Sequence, residues 1–462
     1  MPIVTAKRAA DFADTFGVCV HMGWFATPYE NAADVAAKLA HIGARHIRDG
    51  IGWSGGLDNL KRLAAASPGL GMTLVLPDMK GGKTLATALG EIKALGAAVK
   101  AIEGPNEVDF WPVEYKGLTG HPAAQALQRD AHAAIKADPA LKDKAVVQLT
   151  LGNYANYPKF GADLSAHADF ANFHYYPNNG EVPGKDIAYA LGVQKPVGGS
   201  DPAVTTETGY NTSGNGVMGV NESVQAKYIP RLLLEQFVQG TRRTFVYQLI
   251  DALKPDPNVW DHWLGLYRHD GTAKPAANAM RNLMAVLGDA DRTFSPGSLD
   301  FALSGMPATG RSLLLQRGDG AFVLALWNEV RNWQDGKELF PADGAATLDL
   351  AQAPAGAVLH DTLTGKATPL AAGRSLRVPA PDHVVVVELK MASATAPAPA
   401  PVPTPVPVPT DWKAEAERLQ VENAALNGQV AALAADKAAR DATITKLRAN
   451  AASAVAALNT PA

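Results

Sequence analysis

The stretch AIEGPNEVDF, residues 101–110, decides how this chain is read. An apolar run ends in Gly104-Pro105, and the amide Asn106 stands directly before the carboxylate Glu107. A strand that stops at Gly-Pro and presents an amide and an acid reads as the end of a barrel strand, where chemistry is placed. A second stretch, AVTTETGYN (203–211), also carries β-branched residues into a single acid, Glu207. The two acids are therefore expected to be partners.

Working outward, short β-rich runs alternate with longer alanine-rich runs. The expected strands are 15–23, 46–53, 71–79, 98–106, 145–153, 169–177, 202–210 and 241–251. Segments such as NAADVAAKLAHIGA, KTLATALGEIKALGA, PAAQALQRDAHAAIKADP, ESVQAKYIPRLLLEQFVQG and KPAANAMRNLMAVLG repeat their apolar positions at helical spacing. Eight strands alternating with helices over about 250 residues predict a (β/α)8 barrel. The helices after the fourth and sixth strands read as the least regular. A doubly wound open sheet is the rival, but no Gly-rich nucleotide fingerprint follows the first strand.

Residues 1–290 are assigned to the barrel and 291–391 to an antiparallel β-sandwich, from alternating runs such as SLLLQR, AFVLALWNEV and HVVVVELK. Residues 392–410 carry proline at alternate positions from Pro397 to Pro409 and predict an extended polyproline-like spacer. Residues 411–462 predict one long helix. Leu419, Leu426, Leu433 and Leu447 fall on one heptad seam, interrupted by Arg440, with Asn423, Val430 and Ile444 on another. A coiled coil through 411–458, joining copies as a dimer or trimer, is expected; a solvated alanine-rich helix is the alternative.

Composition narrows the function. The chain has 462 residues, 47% hydrophobic and 19% charged, with a net charge of −3. That balance offers no electrostatic reason to bind nucleic acid. No apolar run is long enough to span a membrane. The single cysteine, Cys19, excludes an internal disulfide and reads as a small core residue. The first 17 residues lack the apolar segment of a secretory signal. The compartment stays open, and action outside the cell or on a particle is compatible with it.

Two carboxylates facing across a barrel mouth are what glycosidic cleavage requires: one protonates the leaving oxygen, the other attacks or activates water. Here a resemblance becomes specific. EGPNEVD on strand four and TTETGY on strand seven resemble the catalytic strands of clan A retaining glycoside hydrolases. NFHYYP on strand six and the segment after strand eight are similar to members near families 39 and 5. The family 39 acid strand usually reads closer to WNEPN; here Gly-Pro precedes the Asn-Glu pair.

The resemblance implies Glu107 as acid/base and Glu207 as nucleophile. It implies that Asn106 bonds the sugar 2-hydroxyl and that Tyr176 or His174 bonds near the carboxylates. It also implies that Arg48 pairs with Glu207 and keeps it ionised. Arg48 has Asp49 and Asp78 as alternative partners, and His174 could instead be a satisfied core histidine. Glu103 reads as an interior polar residue of the barrel. Sugar contacts are further expected from His21, Trp24, Trp111, Tyr247, Gln248, Trp260 and Trp263, with a structural role for His21 equally open. Trp53, Phe110, Tyr115, Tyr154, Tyr157, Tyr175 and Tyr210 complete an aromatic set suited to the C–H faces of sugars. No cofactor is expected. Asp256 and Asp261 lack metal-ligand spacing.

The expected function is a retaining β-glycosidase acting on a polysaccharide or oligosaccharide. A transglycosylase using the same site is the first alternative. The second is a non-catalytic multivalent carbohydrate-binding or structural protein, such as a phage-particle or cell-surface component.

Overall fold

The computed structural model describes residues 1–391 apart from 178, 200–201, 215–218, 257 and 291. The spacer and heptad expectations lie outside these residues.

The eight expected strands are present, each shorter than its sequence run. They are β1 (Phe16–Cys19), β2 (His46–Gly50), β3 (Gly71–Val75), β4 (Val99–Glu103), β5 (Ala145–Val147), β6 (Ala171–Tyr175), β7 (Ala203–Thr208) and β8 (Thr244–Val246). All pair in parallel, in the order β6-β7-β8-β1-β2-β3-β4-β5. A bridge between Val147 and Phe170 joins the two ends, and the Gln148 N–H donates to the Phe170 carbonyl at 3.0 Å. The parallel sheet therefore closes on itself as a (β/α)8 barrel.

The helices follow their caps. Asn31 accepts from the Asp34 N–H to open Ala32–Ile42, and Gly43, at φ 70°, ends it in the left-handed conformation. Thr84 and Thr87 form a capping box ahead of Leu85–Lys93. The connection after β4 is a regular 18-residue helix, Gly120–Ala137, contrary to the expectation of irregularity there. The irregular one follows β5: only the 3-10 turns Tyr154–Lys159 and Ser165–His167 span it. Pro158 and Gly161 interrupt that segment, and neither tolerates a helix interior well. The connection after β6 is short, Ile187–Val193 and Lys195–Gly198, as anticipated.

Behind the barrel lie two antiparallel-rich sheets. One orders Ile3–Thr5, Ser298–Ser304, Gly344–Leu350 and Ser375–Ala380; the other orders Lys7–Arg8, Gly310–Gln316, Phe322–Asn328, Val385–Met391, Pro354–Asp361 and Ala367–Pro369. The chain's first residues thus pair with the sandwich, a placement that linear division at residue 290 does not contain. The strand Phe322–Asn328 is buried on both faces. Phe322, Leu324 and Leu326 enter the core between the sheets, while Val323, Ala325 and Trp327 join the core of the barrel. Period-two alternation therefore serves two apolar cores at once. The helix Glu222–Val238 is correspondingly buried almost all round, from Val224 to Gln236.

Candidate active site

The barrel interior is polar below the mouth. Arg48 on β2 reaches across to β4, donating from Nε and Nη2 to the Glu103 carboxylate at 2.7 and 2.8 Å. Glu103 is fully buried and also accepts from Asn172 Nδ2 and Thr206 Oγ1, both at 3.1 Å. An unpaired buried carboxylate is very costly, so this acid is the counter-charge that anchors Arg48. Asp49 and Asp78 are not its partners. Cys19 is buried in the same layer and donates to the Thr206 carbonyl at 3.3 Å.

From that anchor the guanidinium reaches the mouth. Nη1 donates to Glu207 Oε1 at 2.6 Å and Nη2 to Asn106 Oδ1 at 2.6 Å. Tyr176 donates its hydroxyl to the other Glu207 oxygen at 2.8 Å. His174 Nδ1 lies 2.8 Å from Glu107 Oε1 and 3.6 Å from Glu207 Oε2, while its Nε2 lies 3.2 Å from Thr206 Oγ1. One oxygen of each glutamate and His174 Nδ1 all fall within 4.8 Å of one another. Such a triad would also admit a metal ion, but Arg48 already places a cation against Glu207.

Burial works to raise the Glu107 carboxyl, but the hydrogen bond and charge of His174 outweigh it and hold the acid below its ordinary range. Burial likewise favours neutral His174, and the charge of Glu207 with the bond to Glu107 reverses this, lifting the imidazole above its usual value. Both directions favour the proton on His174, next to the Glu107 carboxylate across the 2.8 Å contact.

Glu107 itself sits at φ 40°, in the left-handed region. Its N–H donates to Thr150 Oγ1 at 3.0 Å, and its carbonyl accepts from the N–H groups of both Phe110 and Trp111 at 2.8 Å. Asp109 ties this loop to the one after β5, accepting from the Gly152 and Asn153 N–H groups and from Asn156 Nδ2.

The structure therefore brings together Glu107, Glu207, Asn106, Arg48, His174 and Tyr176. Next to them His21 stacks on Trp24, with ring centroids 4.0 Å apart, and meets Tyr247 edge-on; Trp260 meets Tyr176 edge-on at 5.1 Å. Among the described residues the buried Nε2 of His21 and Nε1 of Trp260 have no hydrogen-bond partner. Burial pushes the His21 imidazole down to about 3, so it is neutral. Gln248 and Trp263 turn away. Gln248 is buried and accepts from the Tyr29 hydroxyl at 3.0 Å, and Trp263 Nε1 donates to the Asp256 carbonyl at 2.7 Å. Trp111 stands on the rim, 62% exposed. Of the wider aromatic set, Tyr157, Tyr175 and Tyr210 are core residues, because their hydroxyls find partners inside the fold. Sequence reasoning missed Thr206 and Asp109 as supports; only the threonine run TTET hinted at the first.

The fold is shared with solved glycoside hydrolase structures. A monomeric β-xylosidase from Caulobacter crescentus CB15 aligns with TM-score 0.55 at 15% identity, over 84% of this chain and 98% of that one. The GH39 enzyme from Xanthomonas axonopodis pv. citri aligns at 0.54 and 15%, over 84% and 96%. A family 39 glycoside hydrolase from the gut symbiont Bacteroides cellulosilyticus WH2 aligns at 0.52 and 16%, over 83% and 81%. No protein-family model and no curated protein matches the chain. What is held in common at such identity is the architecture, a (β/α)8 barrel backed by a β-sandwich.

Proposed function

We propose that the protein is a retaining glycoside hydrolase that cleaves β-glycosidic bonds of an oligo- or polysaccharide. The observation that carries this reading is the convergence of Glu107 and Glu207 within 4.8 Å. Retaining enzymes hold their carboxyl groups about 5–5.5 Å apart, whereas inverting enzymes need about 6.5–9.5 Å to seat a water.

Glu207, ion-paired to Arg48 and bonded by Tyr176, attacks the anomeric carbon. The glycosidic C–O bond breaks, and the leaving oxygen takes a proton from Glu107, which His174 Nδ1 supplies across their 2.8 Å contact. A glycosyl ester on Glu207 results. Water then attacks the same carbon, gives a proton to Glu107, and the ester bond breaks to restore the Glu207 carboxylate. Arg48 occupies the carbonyl end of Asn106, so the amide's N–H2 end is the one a sugar 2-hydroxyl meets. The unpartnered Nε2 of His21 and indole N–H of Trp260 suit hydroxyls of the same sugar.

A panel of aryl β-glycosides and polysaccharides tests this, with wild type beside Glu207→Ala and Glu107→Ala. The expected result is product of retained configuration and no turnover by Glu207→Ala. Glu107→Ala should lose about 10²–10⁴-fold and be rescued by azide on substrates with good leaving groups. Product of inverted configuration, or full activity without Glu207, would sink the reading.

A further inference from the structure

The mouth is not uniform around its circumference. Among the described residues six aromatic side chains are exposed, and four of them, Phe25, Trp53, Phe110 and Trp111, stand on the loops after β1, β2 and β4. On the loops after β6 and β8, Tyr176, Tyr247, Trp260 and Trp263 are only half-exposed and pack on one another, on His21 or on their own loops.

Three of the four exposed rings are seated on glycine. A methyl group at Gly23 would lie 2.7 Å from Trp53 Cβ, one at Gly55 2.6 Å from Phe25 Cζ, and one at Gly152 2.3 Å from Phe110 Cε2. Main chain thus backs each ring and fixes it, while its remaining surface meets water. The fourth, Trp111, is held through its backbone: its N–H and that of Phe110 both close on the Glu107 carbonyl. The only cation over any of these rings among the described residues is Lys83, 5.2 Å from the Trp53 ring centroid.

Leaving four rings in water forgoes burial energy, and a fold that nonetheless seats three of them against main chain suits a partner there. The occupant is set by chemistry and continuity. Phe110 adjoins the carboxylate pair, since a methyl group at Gly152 would touch both its ring and the Glu107 carboxyl carbon, so this end of the arc meets what the pair accepts. Aromatic faces match the C–H faces of sugar rings, whose hydroxyl rims stay in water. Because Glu107 protonates the leaving oxygen, Phe110 and Trp111, hydrogen-bonded to its backbone, lie on the leaving-group side.

Resting on the glycosidase reading, we propose that this arc is a track for an extended β-linked glycan of several sugars, so that the substrate is a chain and not a small glycoside. Phe110 and Trp111 seat the leaving-group segment, and Phe25 with Trp53 extends the track.

The test compares an aryl β-glycoside with the matching series of β-linked di- to hexasaccharides. The enzymes are wild type, Trp53→Ala, Trp111→Ala, the double variant and Trp111→Phe. In wild type kcat/KM should climb at least about tenfold from disaccharide to hexasaccharide. The double variant should flatten that climb, mostly through KM, and lose at least about tenfold more on the hexasaccharide than on the aryl glycoside. Trp111→Phe, which keeps a ring, should recover most of the loss. A wild-type profile flat with chain length, or a loss equal at all lengths, overturns the track. Failure of the glycosidase reading itself would look different: no aryl glycoside or oligosaccharide cleaved at all.

Discussion

Among the described residues two arginines are buried, and their surroundings differ. Arg231, on the helix between barrel and sandwich, is fully enclosed. It donates to Glu329, Asn332 and the carbonyls of Val330 and Asp382, all from the sandwich side. Every one of those partners is itself buried or tied into the interface. Arg48 is anchored as firmly by Glu103, but two of its donors end on Asn106 and Glu207 at the mouth. A charge whose partners are all internal holds two layers together. A charge whose partners face the cleft organises groups for something that enters it.

The largest effect that would break this comparison is on stability. Arg231→Ala leaves Glu329 buried without its partner and should cost about 3–5 kcal/mol, read by urea unfolding. Surviving folded protein should keep the wild-type pH profile of hydrolysis. A loss of activity per folded molecule comparable to that of a mouth variant would erase the distinction.

Tyr176→Phe sharpens the other side. It removes one hydrogen bond to the Glu207 carboxylate, and bonds to charged groups are worth about 1.5–3 kcal/mol. The expected outcome is a fall of about 10–100-fold in kcat/KM with the melting temperature nearly unmoved. A fall in melting temperature without a kinetic effect would make Tyr176 a structural residue.

The smallest effect belongs to His383, which lies 3.2 Å from both Asp361 and Asp382. Burial works to lower the imidazole, but the two carboxylates outweigh it and raise it to about 9. A raised folded value means the stabilisation is complete below the ordinary histidine range, near 6.5, and is lost as pH rises toward 9. Asp361 and Asp382, both held at about 2 against the pull of burial, act oppositely. Their share is present above about 4 and is lost as pH falls toward 2. Melting temperature against pH should show both slopes, and His383→Asn should flatten the alkaline one. An unchanged alkaline slope in that variant would place its origin elsewhere.

Much of the architecture was legible in one dimension because it rests on local rules. Period-two and period-3.6 apolar patterns, Gly-Pro stops and capping residues act within a few neighbours, so eight strands and most helices could be read from them. Glu107 and Glu207 also stood out, the first beside Asn106 after a Gly-Pro stop and the second as the lone acid of a β-branched run. The helix Glu222–Val238 shows where locality ends. Its sequence reads as amphipathic, and only the sandwich folding over its outer face explains why Arg231 and Lys227 are buried. The same holds for Phe322–Asn328, whose second face is apolar because a second core lies there.

By itself the sequence determined the repeating elements, their order and the two carboxylates, because each depends on residues adjacent in the chain. Tertiary structure alone decided that Glu103 anchors Arg48 and that His174 stands between the two glutamates. It also decided which aromatic rings are core and which are rim. Those facts depend on distances between residues tens of positions apart, set when the barrel closes and the first strands of the chain pair with those of the sandwich.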